Sequence, residues 1–310
     1  LTVTGPGGGP VRDPRELEKI RTGIALMERL LRTLPGAVNL QAAAEGLQRL
    51  VDAWLEESTD VFDDNGRENL GLLPALSRVL TAGPRLWTAV DRIGPRAFRL
   101  LLRELAAEVT PPGRHTHAAA LAEAAGADTA TRARTLHAYR SREILKAELD
   151  LLLTPARDWR AFSERLGALA EACLAFAVES VHADLTPRHG APGPAALLAL
   201  GKFGGEELGS GSDLEIVLVY GETGETPGPQ RIGRGEYHET LARELARFWG
   251  VPEGETFALD TRLRPHGDSG PLASSRTAWE DYYAPGGAAL DYERQALIRM
   301  RVVHGDGALA

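Results

Sequence analysis

The segment Leu200-Gly201-Lys202-Phe203-Gly204-Gly205-Glu206-Glu207-Leu208-Gly209-Ser210-Gly211-Ser212-Asp213-Leu214-Glu215 holds the residues best suited to chemistry. Its glycines let backbone N–H groups come close to a phosphate. It is not a P-loop, because Lys202 follows the first glycine, and it lacks the dinucleotide pattern G-x-G-x-x-G. It offers instead a glycine turn, a short acidic helix, a Gly/Ser turn, and Asp-x-Glu opening a strand. Strand side chains alternate, so Asp213 and Glu215 share one face and Leu214, Ile216 and Leu218 the other. Neighbouring carboxylates repel. A divalent cation removes that cost, and Mg²⁺ combines a few carboxylates with substrate phosphate oxygens. Asp-x-Glu alone is also an ordinary solvated strand end. The glycines upstream turn it toward a metal–nucleotide site.

A second group lies at Leu259-Asp260-Thr261-Arg262-Leu263-Arg264-Pro265. Read as a strand over 256–263, it puts Asp260, Arg262 and Arg264 on one face. A third carboxylate beside two guanidiniums suits phosphoryl transfer, in which metals hold the attacking and leaving oxygens and arginines balance phosphate charge. A surface salt bridge is the plainer explanation of any one Asp/Arg pair.

These segments need elements to hold them. From about Pro14 to Leu185 apolar residues recur at helical spacing, as in Ile20, Ile24, Met27, Leu30 and Leu31, in Leu101, Leu102 and Leu105, and in Trp159, Phe162, Leu166, Leu169, Cys173 and Phe176. Six to eight helices and no strands are predicted there, broken at Asp63–Gly66, Pro111–Gly113 and Thr154-Pro155. The third stripe makes Cys173 a core residue. Residues 1–13 read as a flexible tail, 14–185 as a helical domain, and 186–310 as a second domain entered through the Pro/Gly stretch 186–194. In that second part, 196–200 and 214–220 read as strands and 221–235 as a long loop. Tyr237, Leu241, Leu245 and Phe248 mark an amphipathic helix, and 278–283 and 292–303 are also predicted helical. The fold class is therefore α+β.

Composition narrows the options. The 310 residues are 43% hydrophobic and 25% charged, as in a globular protein. Lys and Arg total 35 against 43 Asp and Glu, a net charge of −8, which argues against a broad nucleic-acid surface. One cysteine excludes an internal disulfide and suggests a reducing, cytoplasmic setting. No apolar run approaches the roughly 20 residues of a membrane span. The start resembles no signal peptide, and Leu at position 1 suits a fragment. His115 and His117 lack a third ligand and read as solvated. Glu222 and Glu225 read as solubility charges, Glu293 and Arg294 as structural, and Trp54, Trp87, Trp159 and Trp279 as core.

Three blocks, Gly201–Glu215 (G-K-x-G-G-x-E-L-x-x-x-S-D-L-E), Asp260–Leu272 (D-x-R-L-R-P-x-G-x-S-G-P-L) and Asp291–Asp306 (D-Y-E-R-x-A-L-I-R-x-R-V-V-x-G-D), resemble the glutamine synthetase adenylyltransferase/deadenylylase family. The likeness spans 196–306 and extends weakly to Leu136–Leu145. It implies a nucleotidyltransferase fold, polymerase-beta-like, with a small mixed sheet. It implies Mg²⁺, or Mn²⁺, held by Asp213, Glu215 and Asp260, and a phosphate turn of Gly201, Lys202, Gly204 and Gly205 with Ser212 beside the first carboxylate. Arg262 and Arg264 would balance phosphate charge. The implied reaction moves AMP between ATP and a tyrosine of glutamine synthetase, or removes it by phosphorolysis to give ADP. Glu215 stands where the family usually has Asp. The family carries two such modules, of which one is seen here, ending before the Gly-Gly-Ile segment that follows in relatives. His266–Leu272 is closer to the deadenylylating half, and Ala296–Val303 to the other.

Overall fold

The fold was analysed in a computed structural model. It describes scattered positions between 13 and 79, then residues 81–309 except 83, 127, 155–157, 222 and 252–255. The expected tail, the turn at 63–66, Trp54 and most of the first stripe lie outside the described residues. Ile24 of that stripe is exposed.

The chain divides into two compact units, Leu1–Thr110 with Glu148–Ala156, and Pro111–Ala147 with Arg157–Ala310. In the first, α1 (Pro84–Ala107) buries Val90, Phe98 and Leu101. It kinks at Gly94, whose φ of 75° breaks the helix just before Pro95, a residue with no N–H to donate. Arg78 donates to the Leu152 carbonyl, and Arg85 pairs with Glu148.

The second unit holds α2 (Arg114–Ala124), most of α3 (Thr129–Leu153), α4 (Trp159–His189) and a five-stranded sheet. Asp158 caps α4 by accepting from the Ala161 N–H. Phe162, Leu166, Leu169 and Cys173 are buried along it, and burial pushes the Cys173 thiol up to about 12, leaving an inert core group. By length and composition α4 could cross a bilayer. The run count missed it because charged residues interrupt the apolar stretch once per turn or two. Here its apolar side chains are packed within the unit. α4 also runs on through Pro187 to His189, so four residues of the expected linker are helical. Trp159 is 66% exposed and is not core, whereas Trp279 is buried. His117 is buried against the Tyr139 hydroxyl at 2.8 Å, not solvated, while His115 is exposed.

The strands are β1 (Ala195–Ala199), β2 (Leu214–Tyr220), β3 (Leu259–Asp260), β4 (Ala273–Ser275) and β5 (Arg301–Gly305). Their order is β3-β2-β1-β5, with β4 also on β2. β1 runs antiparallel to β2 and β5, and β3 and β4 both run parallel to β2. A mixed sheet with helices gives the α+β class. The helices around it are α5 (Gly201–Gly204), α6 (Arg234–Trp249), α7 (Arg276–Tyr283) and α8 (Asp291–Ala296). Ala196, Leu198, Leu200, Val217 and Val219 form one apolar face under Trp279 of α7 and Leu309. Alternation puts Ile216 and Leu218 on the other. Tyr237, Leu241, Leu245 and Phe248 are buried, as the helical stripe predicts.

Two expected elements differ. The strand over 256–263 is only Leu259–Asp260, followed by turns. The helix over 292–303 stops at Ala296, and Arg301–Gly305 is a strand. Pairing with β1 overrides the helical pattern there, and the β-branched pair Val302-Val303 suits it. The 221–233 loop is strapped to the end of α4, its Gly228 and Gln230 N–H groups donating to the carbonyls of His189 and Arg188.

Candidate active site

β2 and its parallel neighbour bring two carboxylates together. Glu215 and Asp260 are register partners, so their side chains leave the sheet on one face. Asp213 has the same parity one step before β2. The pairing is prepared upstream, where the Phe257 N–H donates to the Ser212 carbonyl and the Leu214 N–H to the Ala258 carbonyl, both at 2.8 Å. The Ser212 hydroxyl accepts from the Gly209 N–H at 2.9 Å, closing the Gly/Ser turn that delivers Asp213. That hydroxyl is buried in the turn.

The glycine turn sits against Glu215. The Leu200 N–H donates to the Glu215 carbonyl at 2.9 Å, and the chain then turns at Gly201 with φ 53°. A Cβ on Gly201 would lie 2.8 Å from the Glu215 carboxyl carbon, so glycine is required both by conformation and by space. Gly204 backs onto the Arg299 carbonyl, which a Cβ would meet at 2.1 Å. The turn is one helical turn, Gly201–Gly204, and the acidic helix expected after it is absent, since Glu206 takes φ 58°. Lys202 is exposed on this turn.

Arg301 fixes the turn from behind. Its Nε donates to the Gly204 carbonyl and its Nη2 to the Phe203 carbonyl, each at 3.1 Å. Its remaining Nη1 pairs with Glu171 of α4, which also receives Arg114 at 3.0 Å. Arg301 and Glu171 escaped sequence reasoning. Arg301 lies inside the third motif block, but nothing local says that its partners are backbone carbonyls a hundred residues earlier.

The two arginines after Asp260 diverge. The strand ends at Asp260, so alternation does not carry past it, yet Arg262 still reaches the Asp260 carboxylate while Arg264 is bonded within the following turn. Arg262 folds back, donating from Nε at 3.0 Å and Nη2 at 2.7 Å to the two Asp260 oxygens, with its backbone N–H at 2.9 Å. Arg264 is buried and holds its own turn, donating to the Thr261 carbonyl and hydroxyl and to the Gly270 carbonyl, with Asp268 at 3.6 Å. Of the expected phosphate-balancing groups, Lys202 and Arg262 are exposed, and Arg264 is not.

The electrostatics follow from these partners. Hydrogen bonding from Arg262 holds the Asp260 carboxyl below the usual range. Burial raises that of Glu215, and the charges of Asp260 and Asp213 push the same way. One Glu215 oxygen, Oε2, is buried without a hydrogen-bond partner. Among the described residues no three His, Cys, Asp or Glu side chains converge as a ready metal cluster, and the Asp260 oxygens face Arg262 instead. The donor set nevertheless fits Mg²⁺: hard carboxylate oxygens at one strand end, one of them orphaned.

The model of the family described as glutamate-ammonia ligase adenylyltransferase matches residues 73–310. The chain belongs to this family. The chain is similar to proteins described as bifunctional glutamine synthetase adenylyltransferase/adenylyl-removing enzyme from several bacteria. That of Nitrosococcus oceani is 40% identical over 185 residues, covering 55% of this chain and 18% of the relative. That of Thioalkalivibrio sulfidiphilus is 33% identical over 269 residues, 83% of this chain and 25% of the relative. That of Pseudomonas aeruginosa is 38% identical over 152 residues, 46% of this chain and 15% of the relative. The chain thus spans a quarter or less of the length of these relatives.

Proposed function

We propose that the second unit is a nucleotidyltransferase-fold module that moves an adenylyl group onto, or off, a tyrosine of glutamine synthetase. The observation that carries this is the parallel register of Glu215 with Asp260, with Asp213 one strand step away and the glycine turn seated on Glu215. Asp213, Glu215 and Asp260 would hold Mg²⁺, with Mn²⁺ an alternative. When bound, the ion supplies charge neutralisation at the α-phosphate and at the leaving oxygen.

The chain's own groups do the rest. The N–H groups at the start of the turn, before Gly204, and the Lys202 ammonium bind phosphate oxygens, while the Gly204 and Gly205 N–H groups close the turn on the Leu200 and Gly201 carbonyls. Arg262 is bonded to Asp260 and is long enough to turn to a phosphate. Arg264 acts indirectly, by holding the turn after Asp260. In the forward reaction the tyrosyl oxygen attacks the α-phosphorus of ATP, the α–β P–O bond breaks and pyrophosphate leaves. The tyrosyl proton is lost to solvent or a basic group. In the reverse reaction a phosphate oxygen attacks the same phosphorus of the tyrosyl ester, and ADP and tyrosine result. Positioning and electrostatics dominate such catalysis.

The test is incubation with glutamine synthetase, labelled ATP and Mg²⁺, and separately of adenylylated glutamine synthetase with phosphate. Label on a glutamine synthetase tyrosine, or ADP release, supports the proposal. Label on another acceptor keeps the fold reading and changes the substrate. A second reading, a module that binds nucleotide or glutamine synthetase and only regulates, is favoured by the Asp260–Arg262 pairing and the absence of a preformed three-group cluster among the described residues. Binding without turnover in both assays would select it.

A further inference from the structure

The register that sets Asp260 beside Glu215 starts at an unusual residue. Phe257 is completely buried yet has φ 66°. Bulky side chains enter this left-handed region at a cost, and only where the surroundings insist. Here the backbone is clamped on both sides. Its N–H donates to the Ser212 carbonyl at 2.8 Å, and its carbonyl accepts from the Trp249 indole N–H at 2.6 Å. β3 begins two residues later.

Trp249 is itself held firmly. It closes α6 and is 1% exposed. The Arg140 guanidinium lies 4.6 Å from its ring centroid and donates to its carbonyl at 3.1 Å. The indole N–H, shut away from water, reaches the Phe257 carbonyl. Its hydrogen bond to Phe257 links it to the site through the backbone.

We propose that Trp249 is a positioning residue for Asp260: its indole N–H holds Phe257 in the left-handed conformation and so fixes the parallel register of β3 on β2. This rests on the reading of the carboxylates given above. Without that bond, Phe257 relaxes toward negative φ and the following chain swings. Because side chains alternate with period two, a slip of one residue carries Asp260 to the opposite face.

The experiment replaces Trp249 by β-(3-benzothienyl)alanine, in which sulfur takes the place of the N–H in the same bicyclic shape, with Trp249→Phe as a second variant. Mn²⁺ binding by electron paramagnetic resonance and unfolding by urea are measured on the full chain. Mn²⁺ affinity is expected to fall about tenfold, at the lower end of what outer groups around a metal site contribute. Adding Phe257→Gly to the benzothienyl variant should restore Mn²⁺ affinity, since glycine takes φ 66° freely, while stability falls further through loss of the buried ring. Recovery of binding with loss of stability is a response that a packing role cannot give. Asp260→Asn separates the two layers. If it leaves Mn²⁺ binding intact, the carboxylate reading itself is wrong. If it weakens binding while both Trp249 variants bind as the parent does, or if Phe257→Gly deepens the loss, only the positioning role of Trp249 is overturned.

Discussion

The Gly201–Gly205 turn and the Asp260–Gly270 turn meet the same strand, β2, and are held by opposite means. The first is anchored by one side chain of its own, the fully buried Phe203, and otherwise from outside. Its carbonyls are gripped by Arg301 from the far end of the chain, and its close approach to Glu215 depends on missing Cβ atoms. The second is held mainly from within, with Arg264 buried in it and bonded to carbonyls on either side, and Tyr283 of α7 adds one hydrogen bond to the Leu263 carbonyl. Only the opening of the first turn, before Gly204, is left by these bonds to face a ligand, since the Gly204 and Gly205 N–H groups donate to the Leu200 and Gly201 carbonyls. The rigidity of the second suits a support for one carboxylate, Asp260. Under the proposed function, the arginine-rich motif is the structural half of the pair and the glycine-rich motif the binding half.

The sharpest way to break that comparison is Asp213→Asn, at the strand end between the two turns. It keeps size and removes one charge. Turnover in the adenylylation and phosphorolysis assays should fall by about a thousandfold, several kcal/mol of transition-state stabilisation. Urea stability without metal should hold or rise slightly, because repulsion with Glu215 is relieved. A stability loss with unchanged turnover per folded molecule would make Asp213 a structural cap.

Arg264→Met asks whether the second turn is truly structural. It strips a buried guanidinium from the Thr261 and Gly270 carbonyls. A stability loss of about 2–3 kcal/mol by chemical denaturation is expected. Nucleotide affinity should be affected only through the folded fraction.

Gly201→Ala tests the first turn. The new Cβ meets the Glu215 carboxylate in a conformation of φ 53°. Stability should drop by about 1–2 kcal/mol, and nucleotide binding, followed by calorimetry, should drop with it. Lys202→Ala on the same turn, being exposed, should weaken nucleotide binding while leaving the melting temperature unchanged.

The smallest effects distinguish the two facing carboxylates by pH. Asp260 has its carboxyl lowered, so the stability it supplies is present above the usual carboxylate range and is lost as pH falls through the lowered value. Glu215 has its carboxyl raised, so its contribution is present below the usual range and is lost as pH rises through the raised value. Asp260→Asn should therefore lower stability at neutral pH, and Glu215→Gln should raise it, each by a fraction of a kcal/mol. Urea midpoints between pH 3 and 8 would show the crossing, and parallel shifts would contradict the assigned causes.

Legibility in the sequence follows the same divide. The β2 run Leu214–Tyr220 was readable to the residue, because a β-branched stretch bounded by turns has one reading. Asp213 lies one residue before this strand, and its charge acts on Glu215. The α6 stripe was equally plain. Arg262 does reach Asp260, but Arg264 lies outside the expected strand, because that strand lasts two residues and its length is set by pairing with β2, which no local pattern encodes. β5 was read as helix for the same reason, as its partner β1 lies a hundred residues upstream. Trp249 and Phe257 gave no signal, since a positive φ at phenylalanine contradicts its own preference.

That long-range pairing also bears on how the protein is made. β1 sits in the middle of the sheet, yet one of its edges is closed by Gly305 opposite Ala196. At roughly 5–20 residues per second of synthesis, the intervening hundred residues take about 5–20 s to appear. For that interval an apolar central strand, Ala195–Ala199, has an unpaired edge outside the ribosome. Such an edge is a template for association with other chains. Slow, non-local closure of this kind makes the sheet the late event in folding. The nascent chain would depend on chaperones during that window, before any metal or nucleotide could bind and stabilise it.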